Sequence, residues 1–164
     1  MWVTSTTTPD SPPNDAFIPD QNGISDKVLD RLNVTINSAS AMLTFRNNYR
    51  TEMSGGVCWD GAALEISTPS ISGGDFLNFT DSRVGASCLS GCYNTEMGGD
   101  SSSPIMGAGE WCGDSGGYID TIINLGPNLN GQTITLRWRF RSDEAVGAPG
   151  WRIDNLSIIG ASCP

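Results

Sequence analysis

The chain has 164 residues, a length at which a single domain typically buries roughly 70% of the surface its unfolded form exposes. Hydrophobic residues make up 38% and charged residues 16%, with 20 glycines and 9 prolines, which excludes an acidic disordered tail and favours many short strands joined by turns. Nine basic residues, Lys27 the single lysine among them, against 18 acidic ones give a net charge of −9, and histidine is absent.

A surface of that charge argues against phosphate backbones and anionic lipid as partners, so neither nucleic-acid binding nor membrane insertion is expected. No apolar run approaches the roughly 18 residues needed to span a bilayer. The missing imidazole removes Ser-His-Asp and Cys-His catalysis and histidine zinc sites. Met1-Trp2-Val3-Thr4-Ser5 has neither the basic nor the apolar stretch of a signal peptide, as expected of a chain whose leader is removed or of a module from a longer polypeptide.

Residues 1–15 are rich in Thr, Ser, Pro and Asp and predict an extended arm or linker, with one domain over 16–164. Val28, Leu29 and Leu32 suit one or two helical turns over residues 25–32, the only such segment. Leu32, Val34 and Ile36 alternate with polar neighbours, as do Leu43, Phe45, Asn47 and Tyr49, and both runs predict half-buried strands. Leu64 and Ile66 make a shorter pair after the turn at Gly61. The clearest strand covers residues 133–141, with Ile134, Leu136, Trp138 and Phe140 on one face and Arg137, Arg139 and Arg141 on the other. In the last strand Trp151 and Ile153 fall on odd positions but Leu156 and Ile158 on even ones, so the phase flips at Asp154-Asn155, as a β-bulge would make it. Gly73-Gly74, Gly98-Gly99, Gly107, Gly116-Gly117 and Gly131 supply turns between these strands. The pattern predicts an all-β fold, a two-sheet antiparallel sandwich with at most one short helix.

Five cysteines lack the spacing of a zinc site. Cys88 and Cys92 suit a local disulfide. Cys58 and Cys112 each adjoin a tryptophan in a Gly-rich turn and are expected to pair, leaving Cys163 over. Disulfides imply an oxidising, extracellular compartment.

Several pieces in order carry a resemblance: Leu43-Thr44-Phe45-Arg46, Tyr49-Arg50-Thr51-Glu52, Trp59-Asp60-Gly61-Ala62-Ala63-Leu64-Glu65-Ile66-Ser67, Trp111-Cys112-Gly113-Asp114-Ser115-Gly116-Gly117-Tyr118, Leu136 to Asp143, and Gly150-Trp151-Arg152-Ile153-Asp154-Asn155. Together they resemble the MAM-like jelly-roll domains of secreted bacterial proteins, including those attached to immune-inhibitor-A-type metalloproteases. The resemblance spans roughly residues 16–160. It implies a jelly-roll accessory domain with no catalysis of its own and a structural calcium ion held by Glu52, Asp60 and Asp154, with Asp143 a fourth ligand. It departs from the family where Cys112 replaces a serine and where Cys58 precedes the Trp-Asp-Gly turn. Calcium takes six to eight hard oxygen ligands, and Glu52 and Asp60 flank a Gly-rich turn while Asp154 sits on the phase flip.

Other motifs point elsewhere. Gly113-Asp114-Ser115-Gly116-Gly117 matches the nucleophile segment of chymotrypsin-like proteases, but without a histidine it reads as a tight turn. Arg137, Arg139 and Arg141 form a guanidinium ladder that either holds an acidic ligand or pairs with the chain's own carboxylates. Trp59 and Trp111, in their turns, offer a face for a glycan. The expected function is a non-catalytic, calcium-stabilised module for adhesion or ligand presentation, its partner a protein or glycan at the cell surface. Two alternatives stand beside it: a structural subunit that self-associates through the N-terminal arm, and a carbohydrate-binding accessory module of a secreted enzyme.

Overall fold

The computed structural model describes residues 1–96 and 109–163. Two antiparallel sheets face one another. Across the first, the strands are Val3–Ser5, Asp15–Ile18, Gly150–Ile159, Met42–Arg50, Ile119–Asn124 and Ser87–Ser90. Across the second they are Ala161–Ser162, Ser25–Ile36, Thr133–Ser142, Gly61–Ser67 and Leu77–Asn78. The longer strands after Met42 alternate between the sheets along the chain, the wiring of a jelly roll. Two short ribbons, Met53–Ser54 with Val57–Cys58 and Thr95–Glu96 with Gly109–Glu110, are added to the sandwich. The helical elements among the described residues are the four-residue helix Pro69–Ser72 and the 3-10 turn Pro127–Leu129. The turns expected at Gly98-Gly99 and Gly107 lie outside the described residues.

The period-two patterns become the two walls of the core. Met42–Arg50 buries Leu43, Phe45, Asn47 and Tyr49, and Thr133–Ser142 buries Ile134, Leu136, Trp138 and Phe140. Trp111 enters from a loop and fills the space between them, its ring 5.7 Å from Phe45, 5.9 Å from Trp151 and 4.6 Å from Tyr93. Its indole N–H donates to the Gly91 carbonyl at 2.7 Å, so the ring is buried without an orphaned donor. Asn47, also buried, accepts from the Trp151 indole at 2.7 Å and donates to the Thr121 hydroxyl at 3.1 Å. Gly61–Ser67 is buried along its whole length: it lies between Thr133–Ser142 and Leu77–Asn78, with Glu110 over Gly61, Arg139 on Glu65 and the Gly74 carbonyl on the Ser67 hydroxyl.

The helical turns expected over residues 25–32 are absent; Ser25–Ile36 is one strand. Ile134 pairs with Val34 but Leu136 with Arg31, three steps on one strand against two on its neighbour. The extra residue moves the inward phase from even positions at Val34 and Ile36 to an odd one at Leu29, and that mixed spacing imitates a helix. The bulge expected at Asp154-Asn155 is present: Asp154 pairs with Arg46 and Ser157 with Thr44, and Asn155 has φ 50°.

Residues 1–15 fold back on the same chain. Val3–Ser5 pairs with Asp15–Ile18 at the sheet edge, so the expected boundary between residues 15 and 16 falls inside a strand. Both expected disulfides, Cys58 with Cys112 and Cys88 with Cys92, are formed, and Cys163 is a free, exposed thiol. They indicate an oxidising, extracellular-type environment.

Cys58–Cys112 closes a span of 54 residues and Cys88–Cys92 one of 4. Replacing the first pair by alanine should lower the unfolding free energy by about 2–5 kcal/mol, and replacing the second should cost less. Urea titration of the two variants measures the difference.

Candidate metal centre

Strand ends gather the carboxylates. Asp20 follows Asp15–Ile18 across Pro19, Glu52 lies two residues beyond Met42–Arg50, Asp60 directly precedes Gly61–Ser67, and Asp143 directly follows Thr133–Ser142. Gly150 pairs with Arg50, Trp151 with Ile18 and Arg141 with Gly61, which sets these ends at one pole of the sandwich. Asp20 and Glu52 come from one sheet, Asp60 and Asp143 from the other.

One carboxylate oxygen each from Glu52, Asp60 and Asp143 lies within 4.8 Å of the others. Asp60 is 1% exposed and Asp20 5%. Asp20 faces the Asp60 carboxyl and the backbone of Ala148 and Glu52. Neither Asp20 oxygen makes a well-formed hydrogen bond, nor does Oε2 of Glu52. Burial pushes Asp60 up to about 8; the Asp143 N–H, donating to its Oδ1 at 2.7 Å, pulls the other way, and the charges of Asp20 and Asp143 add to the rise. Burial also raises Asp20.

The loops that carry these groups are braced. The Thr51 hydroxyl donates to the Asp60 carbonyl at 2.9 Å and accepts from the Gly113 N–H at 3.1 Å. Asn94 spans both the N–H and the carbonyl of Cys112, whose disulfide ties the Val57–Cys58 strand to the same scaffold. Gly150, at φ 108°, lets its backbone pass so close to the Ile18 carbonyl that a Cβ would collide with it, and this brings the turn after Ala148 onto Asp20.

Next to this centre lies Glu110, 1% exposed, both oxygens without a hydrogen bond. It sits over the bare α-carbon of Gly61, where a methyl group would meet the carboxylate. Burial pushes Glu110 up to about 8 against the pull of the Arg141 guanidinium, and Asp60 adds to the rise. Burial lowers Arg141 itself.

Three of the four expected metal ligands, Glu52, Asp60 and Asp143, therefore come together, and Asp154 does not. Asp154 lies four residues into its strand from Gly150, roughly 13 Å along it. Its oxygens accept from Ser11 N–H at 2.7 Å, Ser11 Oγ at 3.1 Å and Asn155 N–H at 2.7 Å. The bulge aims it at the N-terminal arm. Asp20, which is not among the expected ligands, lies beside the Asp60 carboxyl at the same pole. The signal for it is the end of a strand in Phe17-Ile18-Pro19-Asp20, an apolar pair stopped by proline and followed by an acid.

The expected ligand face also divides. Trp111 is fully buried and offers no surface, whereas Trp59 is half-buried. Arg137 forks onto Asp30 at 2.7 and 3.0 Å, and Arg139 bonds Asp26 and, at 3.1 Å, Glu65. Arg141 is 3% exposed. Arg137 and Arg139 are thus engaged with the chain's own carboxylates, and Arg141 has only looser ion pairs, 3.6 Å to Asp26 and 3.8 Å to Glu65, with Nε and Nη1 unbonded. Comparison with known protein families and with curated proteins finds no match to this chain.

Asp60 and Glu110 hold a proton more tightly folded than unfolded, so in cation-free buffer stability falls as pH rises from about 4 to about 8. The contribution is complete below the unfolded value and lost above the folded one. Melting temperature in EDTA across that range checks the slope, and a rise instead of a fall contradicts it.

Proposed function

We propose that the chain is a secreted β-sandwich module in which Asp20, Glu52, Asp60 and Asp143 hold a structural calcium ion, and that its work is adhesion or ligand presentation at the cell surface. This is the role expected of the MAM-like jelly rolls it resembles. The supporting observation is a pair of dehydrated carboxylates, Asp20 and Asp60, facing each other from opposite sheets, the first with neither oxygen hydrogen-bonded.

The donor set is all oxygen and irregular in its backbone settings. Calcium accepts that geometry at 6–8 coordination, whereas magnesium demands a near-ideal octahedron and zinc prefers nitrogen and sulfur. A cation here would relieve the repulsion and join the two sheets. No catalysis is assigned to the module: the Ser115 hydroxyl is committed to the Tyr49 and Gly117 carbonyls at 3.1 and 2.8 Å, and the chain has no histidine to activate it.

Calcium at a hundredfold excess over its Kd should stabilise the fold by about 2.7 kcal/mol relative to EDTA. Asp60→Asn and Asp20→Asn remove buried charge, so each should leave the cation-free protein as stable or more stable while abolishing the calcium shift. Asp154→Asn should keep the shift. Identical melting curves with EDTA and with calcium overturn the reading.

A further inference from the structure

The outer face of the six-stranded sheet carries a row of side chains from three neighbouring strands. Arg152 pairs with Phe17 on one side and with Asn48 on the other. Arg50 follows Asn48 by two residues and so shares its face. Thr8 from the N-terminal arm, Asp114, and the Pro149-Gly150 turn complete a cleft of about 410 Å³ over this row. Ligand pockets commonly run from roughly 300 to 1,000 Å³.

Arg152 is fixed in place with one edge to spare. Its Nη1 donates to both Asp15 oxygens at 3.0 and 2.8 Å and to Ser5 Oγ at 3.1 Å. The Asp15 side chain is fully buried and accepts the Tyr118 hydroxyl at 2.5 Å. The guanidinium lies 4.1 Å from the centre of the Phe17 ring. Among the described residues, Nε and Nη2 of Arg152 have no partner within hydrogen-bonding geometry. The same is true of the Arg50 guanidinium, whose ion pair with Asp114 spans 3.5 Å between side chains 65% and 57% exposed.

The contrast with four of the other arginines is chemical. Arg46, Arg83, Arg137 and Arg139 each turn the Nε–Nη2 edge onto a carboxylate of this chain, the edge that Arg152 leaves open, while Arg141, also without a hydrogen bond at Nε, is buried away from this cleft. Arg50 and Arg152 keep donors free on the same cleft of a protein with net charge −9. A planar carboxylate fits two such forks in bidentate fashion. The Asn48 amide, the Thr8 hydroxyl and the Asp114 carboxylate beside them suit sugar hydroxyls, which both donate and accept. We infer that this cleft binds a uronic acid residue of a glycan, its carboxylate on Arg152 and Arg50. The inference rests on the recognition role proposed above and names its site and ligand class; it does not depend on the cation.

The test is calorimetric titration of the whole chain with trigalacturonate, and with the neutral galactose trimer as control, in calcium and in EDTA. Trigalacturonate binds at least about tenfold more tightly than the neutral trimer, since hydrogen bonds to charged groups are the stronger kind. Arg50→Ala, on an exposed side chain, weakens it by about tenfold with the melting temperature unchanged. Arg152→Lys, which keeps the charge but loses the fork, weakens it comparably. Absence of trigalacturonate binding, equal binding of the neutral trimer, or an Arg50→Ala variant that binds as well as the parent overturns the inference. A calcium-dependent melting temperature without trigalacturonate binding sinks this inference alone. Binding that persists while calcium leaves the melting temperature unmoved sinks the cation reading alone.

Discussion

Two carboxyl groups shut away from water and turned toward each other cannot both be charged unless something positive joins them. Asp20 and Asp60 are held in that relation by strands of opposite sheets, and the pole of the sandwich is arranged around them. Other buried acids of this chain have a guanidinium: Asp15 has Arg152 at 2.8 Å, Glu65 has Arg139 at 3.1 Å, and Glu110 feels Arg141. No salt bridge reaches Asp20 or Asp60 among the described residues. The fold thus uses arginine where a strand face brings one near, whereas at this pole the nearest charges are acidic and burial raises the proton affinity of Asp20 and Asp60.

The same economy explains the arginine ladder. On a sheet face flanked by Asp26, Asp30 and Glu65, three guanidinium groups at every second position would repel one another if the acids were absent. With them in register the ladder becomes a cross-strand ionic network. The Arg137 guanidinium also lies 3.5 Å over the Phe76 ring, which covers one of its faces. A net charge of −9 therefore says little about any one arginine, because pairing is decided locally by strand register.

Much of this was legible in the sequence. Strict alternation in residues 43–49 and 133–141 identifies the core faces, and the phase flip at Asp154-Asn155 marks a bulge without any knowledge of the partner strand. Cysteines beside tryptophans in Gly-rich turns proved to be near neighbours. What periodicity does not convey is which strand ends share a pole. Asp154, on a bulge, has the local look of a ligand, but the pairing of Gly150 with Arg50 puts it well along the strand from Glu52. Asp20 follows a strand that alternation over four residues scarcely reveals. Trp111 sits among glycines and polar residues typical of a surface turn, and only the tertiary fold sends its ring inward. The bulge in Ser25–Ile36 hid a strand behind helical spacing for a related reason: one added residue breaks period two, and the broken pattern has no unique reading.

Residues 1–15 show how a segment with linker composition becomes part of a fold. Apart from the buried Asp15, the arm touches the core through the half-buried Trp2, whose ring lies 5.3 Å from Trp151. It is held instead by directional contacts: Val3–Ser5 on the sheet edge, Asp10 on Arg46 at 2.9 Å, and Ser11 on Asp154. Since the sheet edge is already taken by this hairpin, the backbone groups that an arm would offer to a neighbouring subunit are partly used within the chain. The Asp154 bulge then acquires a purpose of its own. By turning a carboxylate outward to receive two donors from Ser11, it anchors the arm across the sheet and sets Thr8 at the rim of the Arg152 cleft.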